Sequence, residues 1–348
     1  MIKDRFLRIA RGLSFLYILI FSAQDKRKKE SHMCTAVSLG KYAARNLDVY
    51  KSYNESVIIT PRKFTLSMRK EEKISEHYAI IGMGAESLGY PLYFDAANER
   101  GLYMAGLNYV GNANYFPPKE DKLNVASFEL IPYVLSQCSD ANKARELLSR
   151  INVTNLSFSR EMPAAELHWF IADKDSALIV EPDKNGLNIY ETPIGVLTNN
   201  PSFPIQTARL SDYMHLSPSS PKNTLCPDIL LAPYSEGMGG IGLPGDLSSA
   251  SRFVRAVFHK SHLRSKDSLS SIFHLLSSVE MPDGSVTVGE AYERTEYASA
   301  VNLSTLTYYY RAYDSVSASA VRLFSEDLDA RSLIIFPTVR NAEPIYQN

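Results

Sequence analysis

The sequence predicts an α+β fold in which antiparallel sheets are covered by helices. Three observations point there. Segments with the alternation and β-branched content of strands gather near both ends and in the middle of the chain. Turn residues join many of them directly, as in hairpins. Helical patterns come in pairs between those groups, not singly after each strand as βαβ units require.

The elements follow in order. "SVIITPRKFTLSM" predicts a strand pair turning near Pro61. "HYAIIGMG", "PLYFDAANERGLYMAGLNYVG" and "SALIVEPDKNGLNIYETPIGVLTNN" predict further strands, punctuated by Asn-Glu, Asn-Gly and Pro. Lys184-Asn185-Gly186 is a hairpin signal, because Asn and Gly tolerate the positive φ of a tight loop. "SFELIPYVLSQC" and "DANKARELLSRI" predict a helix pair, with Ser139 placed to cap the second. "SSASRFVRAVFHKSHL" and "SKDSLSSIFHLLSSV" predict another, the latter with Leu269, Ile272, Phe273 and Leu276 on one face. "TEYASAVNLSTLTYYYRAYD" predicts a final hairpin.

Composition narrows the function. With 348 residues, 45% of them hydrophobic, the chain has ample material for a large core, and no stretch reads as a linker. A net charge of -1 and the lack of a basic stripe argue against nucleic-acid binding. Cys34, Cys138 and Cys226 are too few and too scattered for a disulfide framework or a zinc site, which favours a reducing, cytoplasmic setting. Cys138 reads as a buried helix residue and Cys226 as incidental. Gly237, Gly239 and Gly242 match a dinucleotide fingerprint, but Pro244-Gly245-Asp246 separates them from the next helix. A glycine-lined loop leading to Arg252 is the better reading.

Residues 1–33 stand apart. Lys3, Arg5, Arg8 and Arg11 precede an apolar run from Leu13 to Ala23, the outline of a signal peptide and too short for a membrane span. Cleavage after Ala23 would place Phe21 where a small residue is wanted, and Ser31-His32-Met33 suits no lipoprotein signal. Lys29-Glu30 can instead be encoded as a ribosome-binding sequence before a start at Met33. The expectation is therefore a non-family extension over 1–33, from a mis-assigned start or a signal-like segment, and a single domain over 34–348. Export remains the alternative if residues 1–23 are a true signal, and would make an anchored or secreted binding protein with Cys34 inert.

A chain beginning at Cys34 would carry a thiol and a free α-amine on one residue. The amine, with an ordinary pKa of about 7.7–8.0, is a suitable base for a thiol near 8.5. No histidine is then needed. His77, His168, His215, His259, His262 and His274 are expected in strands or helices without a cysteine-protease signature, and His168 beside Trp169 reads as a core histidine.

"MCTAVSLG", "ARNLDVY", "PLYFDAANERGLYMAGLNY", "GVLTNNPSF" and "GMGGIGLPGDLSSASRFVRA" together resemble the choloylglycine hydrolase family, which holds bile salt hydrolases and penicillin V acylases among the N-terminal nucleophile (Ntn) hydrolases. The resemblance runs in order from Cys34 to the final hairpin. It implies a four-layer αββα sandwich, two antiparallel sheets between helical layers, assembled as a homotetramer without cofactor, metal, nucleic acid or membrane. Cys34 would be the nucleophile, Arg45 a cation near its sulfur and Asp48 the group that orients the amine. Asn199 and the Asn108 backbone N–H would receive an oxyanion, and Arg252 would support the site. The implied substrates are glycine- or taurine-conjugated bile acids, with penicillin V as the alternative; Asn108 favours the former, since penicillin V acylases tend to carry tyrosine there. The stretch from Cys34 to Arg45 is short for the family, so a tight turn is expected near Gly40-Lys41.

Overall fold

The computed structural model describes residues 33–341 with Glu343, Pro344, Tyr346 and Gln347; the readings of residues 1–32 lie outside the described residues. The chain opens with β1 (Met33–Leu39) and β2 (Tyr42–Val49), paired with Leu39 opposite Tyr42, so Gly40-Lys41 is the expected tight turn. Gly40 has φ +55°, and any Cβ there would strike Asp267 and the Lys266 carbonyl. That turn is pinned from outside, with the Lys41 N–H donating to Asp267 Oδ1 at 3.1 Å.

β3 (Ser56–Thr60) forms, but its expected partner after Pro61 does not. Residues 61–68 turn away with one bridge, Leu66 to Ile74. β3 pairs instead with β4 (Ile80–Ser87), because a longer loop brings the buried stretch Ile80–Gly84 alongside it. β5 (Tyr90–Asn98) and β6 (Tyr103–Asn108) complete this meander. After β7 (Leu123–Ala126) come α1 (Leu130–Gln137) and α2 (Ala141–Leu148), then β8 (Ile151–Thr154), which lies parallel to β7.

The cap of α2 is Asp140, whose side chain accepts from the Lys143 N–H, not Ser139. Ser139 donates to Asp140 Oδ2 instead, one position too early to reach the helix. β9 (Leu167–Ala172), β10 (Ala177–Asp183), β11 (Gly186–Glu191) and β12 (Val196–Leu197) follow, with Asp183 opposite Gly186 across the predicted hairpin. α3 (Phe203–Arg209) leads to a long loop that contains the three glycines. α4 (Ser249–His262) and α5 (Leu269–Ser277) come next, and Ile272, Leu275 and Leu276 are the buried residues of α5. β13 (Val286–Val288), β14 (Ala291–Asn302), β15 (Thr307–Ala312), β16 (Ser319–Arg322) and β17 (Ile334–Pro337) end the fold.

These strands make two antiparallel sheets. One runs β12-β1-β2-β14-β15-β16, with β13 added to β14; the other runs β11-β10-β9-β6-β5-β4-β3-β17. α4 and α5 pack on β1, β2 and β14, whereas α1 and α2 cover the outer face of the second sheet. The result is the αββα sandwich. Leu130, Val134 and Leu135 meet Trp169 and Ile171 in the outer layer, while Ala36, Leu47, Phe170 and Tyr308 share the layer between the sheets. Every residue of β2 is buried, since sheet and helices cover its two faces. Period-two alternation therefore sorts polar residues on β1 and β2 into two inner compartments, and it is this sorting that builds the site.

Candidate active site

Cys34 and Arg45 lie on the β1–β2 hairpin and turn into the layer between the sheets. Arg45 Nη2 donates to Cys34 Sγ at 2.8 Å. Its Nη1 donates to the carbonyls of Phe94 and Gly106, at 2.8 and 3.0 Å, on the opposing sheet. Burial pushes the thiol above its ordinary range, and Arg45 pulls the other way without overcoming it. The expected cation is in place, yet a sulfur so thoroughly covered rests as a thiol.

Thr35, Asn46 and Asp48 alternate to the helix side. There Arg252 descends from α4, fully buried, and joins several segments. Nη1 donates to the Cys34 carbonyl at 2.6 Å and to Thr35 Oγ1 at 2.5 Å; Nη2 donates to Asn199 Oδ1 at 2.8 Å. Asp48 Oδ2 lies 3.8 Å from Arg252 Nη1 and has no hydrogen-bond partner, while Oδ1 accepts from Thr295 Oγ1 at 2.6 Å. Burial pushes the Asp48 carboxyl up to about 6, against the pull of Arg252 and Thr295.

Asn199 follows β12 and is itself fixed, its N–H on Ser249 Oγ and its carbonyl under Gln206 Nε2. Its Oδ1 accepts from the Cys34 backbone N–H at 2.8 Å, and its Nδ2 donates to the Asn108 carbonyl at 2.8 Å. Arg252 can only donate and a carbonyl can only accept, so the amide's orientation is forced. Asn108 stands opposite Leu167 at the end of β6, and the Tyr109 N–H bonds the Glu166 carbonyl one step later. In an antiparallel ladder the bonded pairs alternate, so both Asn108 backbone groups turn away from β9. Its carbonyl meets Asn199 there, and its N–H points to the same side.

All six predicted site residues thus fall in one cluster. The six described histidines do not join it. His168 Nε2 meets the Thr198 carbonyl at 2.9 Å and Nδ1 meets Glu181 at 3.3 Å, and the ring stacks on Tyr109 at 4.4 Å. His77 and His215 sit in loops, contrary to expectation; His77 follows the polar stretch before β4, and His215 comes in the turn after a short helical turn over 210–213. Among the described residues no group of His, Cys, Asp and Glu could hold a metal, and no helix is long and apolar enough to cross a membrane. Thr35, Thr295 and Ser249 were not foreseen. Thr35 is signalled by its place beside Cys34, but Thr295 is recruited by a register shift in β14 that no local pattern reveals. A cleft of about 550 Å³, lined by Met33, Gly245–Ser248 and Ser285–Thr287, opens beside the start of β1.

The model of the linear amide C–N hydrolases, choloylglycine hydrolase family, matches residues 33–336. A bile salt hydrolase/transferase of Lactiplantibacillus plantarum is 46% identical over 320 residues, covering 89% of this chain and 98% of that one. Its namesake in Clostridium perfringens is 34% identical over 316 residues, 86% of this chain and 95% of that one. A crystal structure of a variant conjugated bile acid hydrolase from Clostridium perfringens is similar with a TM-score of 0.85 at 32% identity, covering 90% and 100% of the two chains. A penicillin V acylase from Agrobacterium tumefaciens, at 18% identity and TM-score 0.71 over 90% and 94%, shares the fold. With the sandwich and the hairpin-borne cysteine already in hand, the conclusion is direct: this chain belongs to the choloylglycine hydrolase family of linear amide C–N hydrolases.

Proposed function

We propose that the protein hydrolyses the amide bond of glycine- or taurine-conjugated bile acids, with Cys34 as an N-terminal nucleophile. The observation that carries this reading is the six-residue cluster around Cys34, in a chain 46% identical to a bile salt hydrolase/transferase. In the working enzyme Cys34 carries a free α-amine. That amine accepts the thiol proton, directly or through water, and the sulfur attacks the amide carbonyl carbon. The oxyanion that forms is received by Asn199 Nδ2 and the Asn108 N–H; an amide nitrogen has two hydrogens and can serve the Asn108 carbonyl as well.

The α-ammonium then gives its proton to the departing glycine or taurine nitrogen, leaving a thioester on Cys34. A water, deprotonated by the same amine, attacks the thioester and releases the free bile acid and the thiol. Asn199 Oδ1 already accepts from the Cys34 nitrogen, and Asp48 stands opposite Met33 with one buried oxygen lacking a donor. An ammonium at Cys34 would find both acceptors in place.

Comparing kcat/KM for glycocholate, taurocholate and penicillin V tests the substrate class. Conjugated bile acids are expected to lead; a clear advantage for penicillin V would move the chain to the acylase reading. Intact mass of the native protein tests the nucleophile, since an active enzyme still carrying residues 1–33 would refute the amine as base.

Assembly into a homotetramer is part of the same reading, supported by exposed Leu225, Leu230 and Tyr234 on the long loop before α4. A cytoplasmic setting is supported by three unpaired cysteines.

A further inference from the structure

Asp95 is a buried carboxylate that the reaction above leaves unused. It sits on β5 opposite Ala105, fully covered between the sheets. Three hydroxyls from the other sheet converge on it. Tyr297 Oη donates to Oδ1 at 2.7 Å, while Tyr308 Oη and Ser299 Oγ donate to Oδ2 at 2.8 and 3.2 Å. Ser299 lies directly opposite Arg45, and Tyr297 opposite Leu47, so these donors share the inner face with the guanidinium. Arg45 in turn rests on the carbonyl of Phe94, the residue before Asp95.

Position and charge are supplied separately here. The carbonyls of Phe94, Gly106 and Asn46 hold the guanidinium in place, and all three are neutral. A buried cation without an anion is costly, and it would favour a thiolate beside it. The groups facing Arg45 are Cys34 from β1, Tyr297 from β14, Asp95 from β5 and Tyr103 from β6; Asp48 and Arg252 act on the thiol from β2 and α4. Tyr308, on β15, faces Asp95 and Tyr103. Burial pushes the Asp95 carboxyl up, against the pull of Arg45 and the three hydroxyls. Burial and that carboxyl hold the Tyr297 and Tyr308 phenols well above their usual range, which keeps them as donors.

We propose that Asp95 is a positioning residue acting through Arg45: it is the fixed counter-charge that lets the guanidinium touch Cys34 without stripping the thiol of its proton. The proton then stays on sulfur until the α-amine removes it. This rests on the reading of Cys34 as the nucleophile, and its test is independent of turnover.

The thiolate of Cys34 is followed against pH by its ultraviolet absorbance, as the difference from a Cys34→Ser protein. In Asp95→Asn the midpoint should fall by about one pH unit, a tenfold gain in thiolate at a given pH. Asp95→Glu disturbs packing at least as much but keeps the charge, so its midpoint should stay at the wild-type value. Should Asp95→Asn fail to fold, Tyr308→Phe removes one donor from the carboxylate and should lower the midpoint by less. An unmoved or raised midpoint in the foldable variant, or an equal fall in Asp95→Glu, would overturn the proposal. Loss of the nucleophile reading would appear differently, as full activity in Cys34→Ser with the thiolate midpoints still separated.

Discussion

Around Cys34 the protein buries charge: Arg45, Asp48, Asp95 and Arg252 are fully covered, and each meets hydroxyls, carbonyls or an opposite charge. On the loop between α3 and α4 it does the reverse. Leu225, Leu230 and Tyr234 are 89%, 98% and 87% exposed. Either arrangement is unfavourable for an isolated folded chain, since buried ions lose hydration and exposed hydrocarbon orders water. The two regions differ in what repays the loss. The first is balanced internally, by partners held on both sheets and on α4. The second has no such balance among the described residues, which is why the proposed assembly is read as placing other copies there.

The comparison can be broken most sharply at the sulfur. Cys34→Ala should abolish hydrolysis of conjugated bile acids, while Cys138→Ala and Cys226→Ala keep most of it, as measured by release of glycine or taurine. Arg252→Ala should cost roughly 3–5 kcal/mol of stability in urea titrations, because Asp48 loses its buried cation. A small loss would mean that water already relieves the site. Asn199→Ala should reduce kcat by about 10²–10³-fold, with the change in kcat and not KM if the amide serves the transition state.

A subtler effect concerns Asp48 and pH. Its folded carboxyl, raised to about 6, holds a proton that the unfolded chain, near about 3.9, has already released. The wild type should therefore gain stability over Asp48→Asn below about pH 4 and lose that margin as pH rises through 6. Denaturation midpoints of the two proteins from pH 4 to 7 would show it; a margin that grows with pH would reverse the sign. The smallest effect on catalysis is expected on the loop. Leu230→Asp with Tyr234→Ser should lower the mass seen by light scattering and leave turnover per chain nearly unchanged.

Local pattern made some of this legible and geometry hid the rest. Lys184-Asn185 between β10 and β11 is readable because one short turn determines that pairing. The partners of β3 are not, since β4 and β17 reach it through loops whose lengths carry no register information. Ser139 and Asp140 are adjacent cap-formers, and only the helix's first turn decides between them. In the site, Cys34, Arg45 and Asp48 are close in sequence and Asn108, Asn199 and Arg252 sit in distinctive motifs. Asp95 and Tyr308 look like ordinary strand residues until two sheets are stacked.

The turn at Gly40-Lys41, held by Asp267, has a further consequence for the order in which the molecule comes apart. Its hairpin is clamped at the closed end and carries the sulfur at the open one, with β12 and β14 bonded along its sides. Amide hydrogens along such a strand pair exchange only when much of the sandwich opens, whereas those of the loop before α4 exchange through local excursions. If the protein assembles as proposed, warming should release the copies from one another well before it reaches the sulfur. A dissociated yet still active enzyme is the intermediate to look for, and its lifetime would measure how firmly one glycine turn is held.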